Sequence, residues 1–116
     1  MNFDTLSGRD LDAMTAQHLF GLKVEPRTNA RTGERDYVYE ENSGGWVRVA
    51  FYAESMSASI SVDAALQKRG WKRTGSDWDD PGVQRVVLVH ADGRRVEAPG
   101  PYKEALCRAA LKAVSA

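Results

Sequence analysis

The C-terminal segment constrains this chain more than any other part of it. From Pro101 onward, Tyr102, Ala105, Leu106, Cys107, Ala109, Ala110, Leu111, Ala113 and Val114 would cover most of the circumference of a helix. Only a narrow charged ridge of that helix would remain, and its apolar surface is expected to clasp a sheet. Pro101 suits the first helical position, where its missing N–H is no loss. Glu104, Arg108 and Lys112 follow one another at i, i+4 steps and predict a single charged ridge facing solvent.

The chain has 116 residues, of which 42% are hydrophobic and 28% charged. That is enough to withdraw about two-thirds of the unfolded surface from water, so a single domain over residues 1–116 with one core is expected. Sixteen basic residues balance sixteen acidic ones, so no global field draws the chain to nucleic acid or to an anionic membrane. One cysteine cannot form an internal disulfide, which fits a reducing cytoplasm. The opening MNFDTLSGRDLDAM has neither a basic nor an apolar leader region, and the longest aliphatic run, Val86 to Val89, is far too short to span a bilayer. No membrane association is expected.

Ser7 and Asp10 stand at capping-box spacing and predict a first helix that closes at Gly21. Its buried stripe is expected to be Leu11, Met14, Thr15, His18 and Leu19, with Arg9, Asp12 and Gln17 facing solvent. A short extended piece should end at Pro26. The polar stretch Arg27 to Arg35 reads as a surface loop. Two strands, 36–41 and 46–53, flank Asn42, Ser43, Gly44 and Gly45 as a hairpin. Glu54 to Ser59 reads as a connection, and a short helix follows from Ser61 to Gly70, with Val62, Ala65 and Leu66 as its apolar content. After a strand at Trp71 and a turn at 75–82, strands 84–91 and 94–98 flank Asp92 and Gly93 as a second hairpin.

A four-residue loop in the first hairpin would set Glu41 against Trp46, Tyr39 against Arg48 and Tyr37 against Ala50, with Val38, Val47, Val49 and Phe51 on the other face. A two-residue turn in the second would set Val87, Val89, Ala91, Val96 and Ala98 on a core face, and Val86, Leu88, His90, Arg95 and Glu97 on a mixed one. The expected class is α+β: a three-layer helix-sheet-helix sandwich with three helices and a mostly antiparallel sheet of about five or six strands. The two halves, each a strand and a hairpin bracketed by helices, hint at internal pseudo-symmetry.

The two ends of the chain, LSGRDLDAMTAQHLFGLKV and EALCRAALKAV, resemble the opening and closing segments of proteins carrying the phage ABA sandwich domain. Leu6, Gly8, Arg9, Asp10, Leu11, Asp12 and Ala13 match the opening pattern, and Leu106, Cys107, Arg108, Ala109, Ala110 and Leu111 the closing one. Ser61, Val62 and Asp63 match the central helix start in part. The loop after Pro26 and the DWDDPG turn depart from the pattern. The resemblance implies a helix-sheet-helix sandwich encoded by a phage or prophage, and it implies no chemistry.

Asp77, Asp79 and Asp80 cluster, but Pro81 and Leu88 stand where a calcium loop needs oxygen ligands, so an Asx-rich turn accounts for them and no metal site is expected. His18 reads as a structural histidine beside the core, and His90 as part of a polar cluster with Arg95 and Glu97. Cys107 reads as a small buried hydrophobe. No phosphate loop, nucleophile elbow or paired-carboxylate spacing is present, so a non-enzymatic chain without cofactor is expected. The candidate ligand-binding surface is the aromatic face of the first hairpin: Tyr37, Tyr39, Trp46 and Tyr52 around Arg48, with Arg27, Arg31 and Arg35 in the adjacent loop. Aromatic faces with guanidinium groups can stack a base and neutralise phosphates. The same aromatics also suit burial under a helix, and the sequence leaves both readings open. Lys68, Arg69, Lys72 and Arg73 form a second basic cluster, which reads as a solvated helix end. The expected function is a binding module for a host protein or a small anionic ligand, with counter-defence as one such task. A modest nucleic-acid binder using the Arg-rich loop is the alternative.

Overall fold

The structure is a computed structural model and describes residues 3–41, 44–74 and 85–115. The expected cluster at Asp77, Asp79 and Asp80 lies outside the described residues. A 3-10 turn, Phe3–Thr5, precedes α1 (Gly8–His18), β1 (Val24–Thr28), β2 (Arg35–Glu40), β3 (Trp46–Arg48), α2 (Met56–Lys68), β4 (Trp71–Arg73), β5 (Arg85–His90), β6 (Arg95–Pro99) and α3 (Tyr102–Ser115).

The class is α+β, but the strands form two antiparallel three-stranded sheets, in order β1-β2-β3 and β4-β5-β6, where one sheet of five or six strands was expected. We refer to them as sheet A and sheet B. Each sheet follows a helix in the chain. The layer order differs as well, because α3 packs against β5 and β6 of sheet B and also against α1 and α2, so a helix and not a sheet is the hub. Its entire Ala105–Leu111 run is buried, as an all-round apolar helix requires.

The charged ridge of α3 does not face solvent. Arg108 is buried; its guanidinium donates to the carbonyls of Leu6 and Pro99 and to the Glu104 carboxylate. Lys112 donates to the Glu97 carbonyl and pairs with Asp4. The ridge is thus a polar seam that fastens the N-terminal turn and β6 to α3.

Both hairpins are shifted by one residue from the expected register. In sheet A, Val38 faces Arg48, Tyr39 faces Val47 and Glu40 faces Trp46. In sheet B, Val86 faces Ala98 and Leu88 faces Val96. The closing pairs are Glu41 with Gly45 and His90 with Arg94, so each loop holds three residues and ends in a glycine at positive φ, Gly44 or Gly93, the glycine-bulge loop. A slip of one residue exchanges the faces. In the second hairpin Val86, Leu88 and Ala98 are therefore the buried residues, in place of Val87 and Val89.

Other boundaries move for identifiable reasons. Pro26 lies inside β1 and does not end it, because β1 is an edge strand and tolerates a residue without N–H. β3 stops at Arg48 because Arg9 takes the carbonyls of Val49 and Ala50 and Asp12 takes the Ala53 N–H. α2 begins at Met56, within the expected connection, with Ser55 as its cap accepting from the Ala58 N–H. Gly70 closes it at φ +89. In α1, Asp12 is buried and His18 exposed, the reverse of expectation. Ser7 is the N-cap but forms no side-chain cap bond, and the Asp10 carboxylate is engaged by Tyr37.

Candidate functional site

Where sheet A meets α1, polar groups from three segments converge. Arg9, on the first turn of α1, donates Nε to Asp36 at 2.9 Å, Nη1 to Asp12 at 2.7 Å and Nη2 to the Val49 carbonyl at 2.7 Å. Its guanidinium also lies 4.0 Å from the centre of the Phe51 ring. Asp12 in turn accepts from the Ala53 N–H at 2.8 Å. Asp36 accepts from Arg9 and the Tyr37 N–H on one oxygen and from Arg48 at 3.0 Å on the other. Burial raises the Asp12 carboxyl above its ordinary value, outweighing the opposing hydrogen bonds from Ala53 and Arg9. Burial acts on Asp36 in the same direction, yet the combined bonds from Arg9, the Tyr37 amide and Arg48 hold it below the usual value.

Beside this network a cleft of about 340 Å³ opens, lined by Arg9, Pro26, Arg35, Asp36 and Tyr37. Tyr37 donates its hydroxyl to Asp10 at 2.6 Å, and that bond, with burial, raises the phenol above its ordinary value. Arg9 has committed its guanidinium to Asp12, Asp36 and two carbonyls. Arg35, also on the cleft, forms no ion pair among the described residues.

The residues singled out in the sequence do not form one surface, because the register slip divides them. Tyr37, Tyr39, Val47 and Val49 share the inner face of sheet A, and Tyr37 and Tyr39 pack partly buried against the core. Trp46 and Arg48 lie on the outer face with Val38 and Glu40. There the Arg27 guanidinium stacks over Trp46 at 3.7 Å and Arg27 pairs with Glu25 at 2.8 Å. Arg31 is exposed near the β1–β2 turn. Tyr52 is buried and stacks on Phe20 at 5.1 Å. Of these residues, Arg35 and Tyr37 line the cleft. Arg9, Pro26 and Asp36, its other lining residues, were missed because nothing local marks them as neighbours.

The remaining candidates have structural surroundings. His90 does not join Arg95 and Glu97. Its Nε2–H donates to the Arg69 carbonyl, its Nδ1 accepts from the Asp92 N–H, and its ring meets Trp71 edge-on. In the second basic cluster, Arg69 donates to the Leu19 carbonyl and Arg73 pairs with Asp63. Cys107 is fully buried, and burial pushes its thiol up to about 12. Among the described residues no three His, Cys, Asp or Glu side chains converge as a metal site would require. Nor is any helix there long and apolar enough to cross a membrane.

No protein-family model matches the chain, and no curated protein matches it by sequence. Its fold is similar to the crystal structure of a phage protein from Bacillus cereus, with a TM-score of 0.63 at 16% identity, over 93% of this chain and 87% of that one. At that identity the likeness concerns the fold alone.

Proposed function

We propose that the chain, whose terminal segments resemble those of phage ABA sandwich proteins, is a phage-encoded, non-enzymatic binding module acting in the cytoplasm of its bacterial host. It takes a small anionic ligand in the cleft between α1 and sheet A. The observation that carries this reading is Arg35: a guanidinium without an ion pair among the described residues, beside Tyr37, on a cleft of about 340 Å³. That volume lies at the lower end of small-molecule pockets, and a guanidinium grips a phosphate or carboxylate through two parallel hydrogen bonds. The resemblance of the terminal segments to phage ABA sandwich proteins supports the phage origin, and so does the likeness of fold to a phage protein.

Nucleic acid receives less support. Arg27 and Arg48, the cations on the outer face of sheet A, already pair with Glu25 and Asp36, so that face offers little uncompensated positive charge to a phosphate chain.

The reading is tested by titrating isotopically labelled protein with adenosine monophosphate and, separately, inorganic phosphate. Amide shifts should concentrate at Arg35, Asp36 and Tyr37. Arg35→Ala should weaken binding about 10- to 100-fold, the worth of a charge-assisted hydrogen bond, without moving the melting temperature, and the ligand should be recovered unaltered. Saturating additions that shift no cleft amide would overturn the reading and turn attention to a host protein partner.

A further inference from the structure

Two three-stranded sheets leave four edge strands, β1, β3, β4 and β6, and an edge strand exposes main-chain donors and acceptors to any passing strand. Two of the four, β1 and β6, carry visible guards, and β4 is only three residues long. The Asn29 N–H donates to the Glu34 carbonyl, so by the alternation of an antiparallel ladder Glu25 and Arg27 bond to β2 while Val24, Pro26 and Thr28 turn outward. Pro26 offers no N–H at the middle of that edge. On β6, Lys112 caps the Glu97 carbonyl, Arg108 caps the Pro99 carbonyl, and Pro99 again has no N–H. β4 is packed by α2.

β3 has no such protection. The Glu41 N–H donates to Gly45 and the Val49 N–H to Tyr37, so Val47 bonds inward to Tyr39 and the main-chain groups of Trp46 and Arg48 turn outward. No side chain among the described residues bonds to those groups. Trp46 is 41% exposed and the Arg48 side chain 66%.

We propose that this edge pairs, antiparallel, with β3 of a second copy of the chain about a two-fold axis through Val47. In that register the outward N–H and C=O of Trp46 meet those of Arg48 in the second copy, each such pair exchanging both main-chain bonds. The side chains of the pair fall on the same face, so the Trp46 indole, whose ring already carries its own Arg27, stands beside the Arg48 guanidinium, which keeps its bond to Asp36, twice over by symmetry. The tripeptide is its own complement, which an isologous interface demands and an unrelated strand would have to supply by chance. The product is a continuous six-stranded sheet, β1-β2-β3 joined to its two-fold image. Three residues per edge bury much less than the area of roughly 1,200 Å² or more that stable complexes bury, so the association is weak and depends on concentration, with Kd in about the 0.1–1 mM range.

Sedimentation of the full chain from about 20 µM to about 2 mM should show the mean mass climbing from 12.8 kDa toward twice that value. Exchange of the Trp46 and Arg48 amides should slow several-fold over the same range while the Val47 amide changes little. Arg48→Pro removes an outward N–H without touching the β2 ladder, and it should stay monomeric with its other amide resonances in place. Trp46→Ala, which leaves the backbone intact, should weaken association if the proline variant does not fold. A mass that stays at 12.8 kDa at the highest concentration overturns the proposal. So does dimerisation in which the slowed amides lie outside β3, or a Trp46→Ala protein that associates like the parent.

Discussion

At the residue scale, α1 is joined to sheet A through carboxylates of opposite titration behaviour on one guanidinium. Asp36 is held below its ordinary value, so it contributes stability above the unfolded value near 3.8 and loses it as pH falls through its folded value. Asp12 is raised, so its contribution is present below 3.8 and is lost as pH rises through its folded value. Denaturant unfolding between about pH 2.5 and 7 separates them. Asp36→Asn should cost stability at the neutral end and almost none at the acid end. Asp12→Asn, whose amide oxygen can still accept from the Ala53 N–H, should compare better with the parent as pH rises. Equal losses at both ends for Asp36→Asn would contradict this account. At high pH, Cys107 and Tyr52 are both raised by burial to about 12, from 9.0 and 10.0 respectively. The stability they lend is whole below the unfolded values and drains away as pH climbs toward 12. Cys107→Ala should flatten part of that alkaline loss, and the native thiol should resist labelling at pH 8 until the chain unfolds.

At the element scale, the loops decide which face of each strand is buried. Gly44 and Gly45 adjoin, and a methyl group would meet nothing within 4 Å at either, but only Gly44 has positive φ, at +87. Gly44→Ala should therefore cost about 1–3 kcal/mol, and Gly45→Ala stay within about 0.5 kcal/mol, as calorimetry or urea titration would show. Leu106→Ala or Leu111→Ala, fully buried on α3, should cost about 2–5 kcal/mol. The existence of most elements was legible in the sequence: the α3 pattern behind Pro101, the Gly70 stop and the glycines of both hairpins are local signals. Register was not legible, because Asn42 to Gly45 and Asp92-Gly93 suggest even-numbered loops whereas both ladders close around three residues. The polar links were illegible for a different reason. Arg9 and Asp36 stand 27 positions apart and Leu6 and Arg108 stand 102 apart; no pattern within a window of a few turns encodes such pairs. Asp12 and Arg108 looked like solvent-facing charges because each helix taken alone offers them no buried partner. Of the residues singled out on the first hairpin and its adjacent loop, Arg35 and Tyr37 line the cleft, and the cleft itself, assembled from α1, β1 and β2, has no local pattern.

At the scale of the whole molecule, the distribution of contacts is uneven. Sheet B, α1 and α2 enclose α3, whereas sheet A meets α1 along a narrow seam and most of β1 is exposed. The radius of gyration, 14.7 Å, exceeds the roughly 13 Å of a compact chain of this length, and the molecule extends 46 Å along its longest axis. Sheet A is thus joined to the rest by the Arg9 network and by the packing of Val24, Tyr37 and Tyr39 on the core, with the cleft at that junction. Native-state amide exchange tests this arrangement most directly. The amides of β5 and α3 should exchange only through global unfolding, while those of β2 should exchange through a smaller opening that Arg9→Ala makes easier without altering β5. Protection in β2 equal to that in α3, unchanged by Arg9→Ala, would contradict this arrangement.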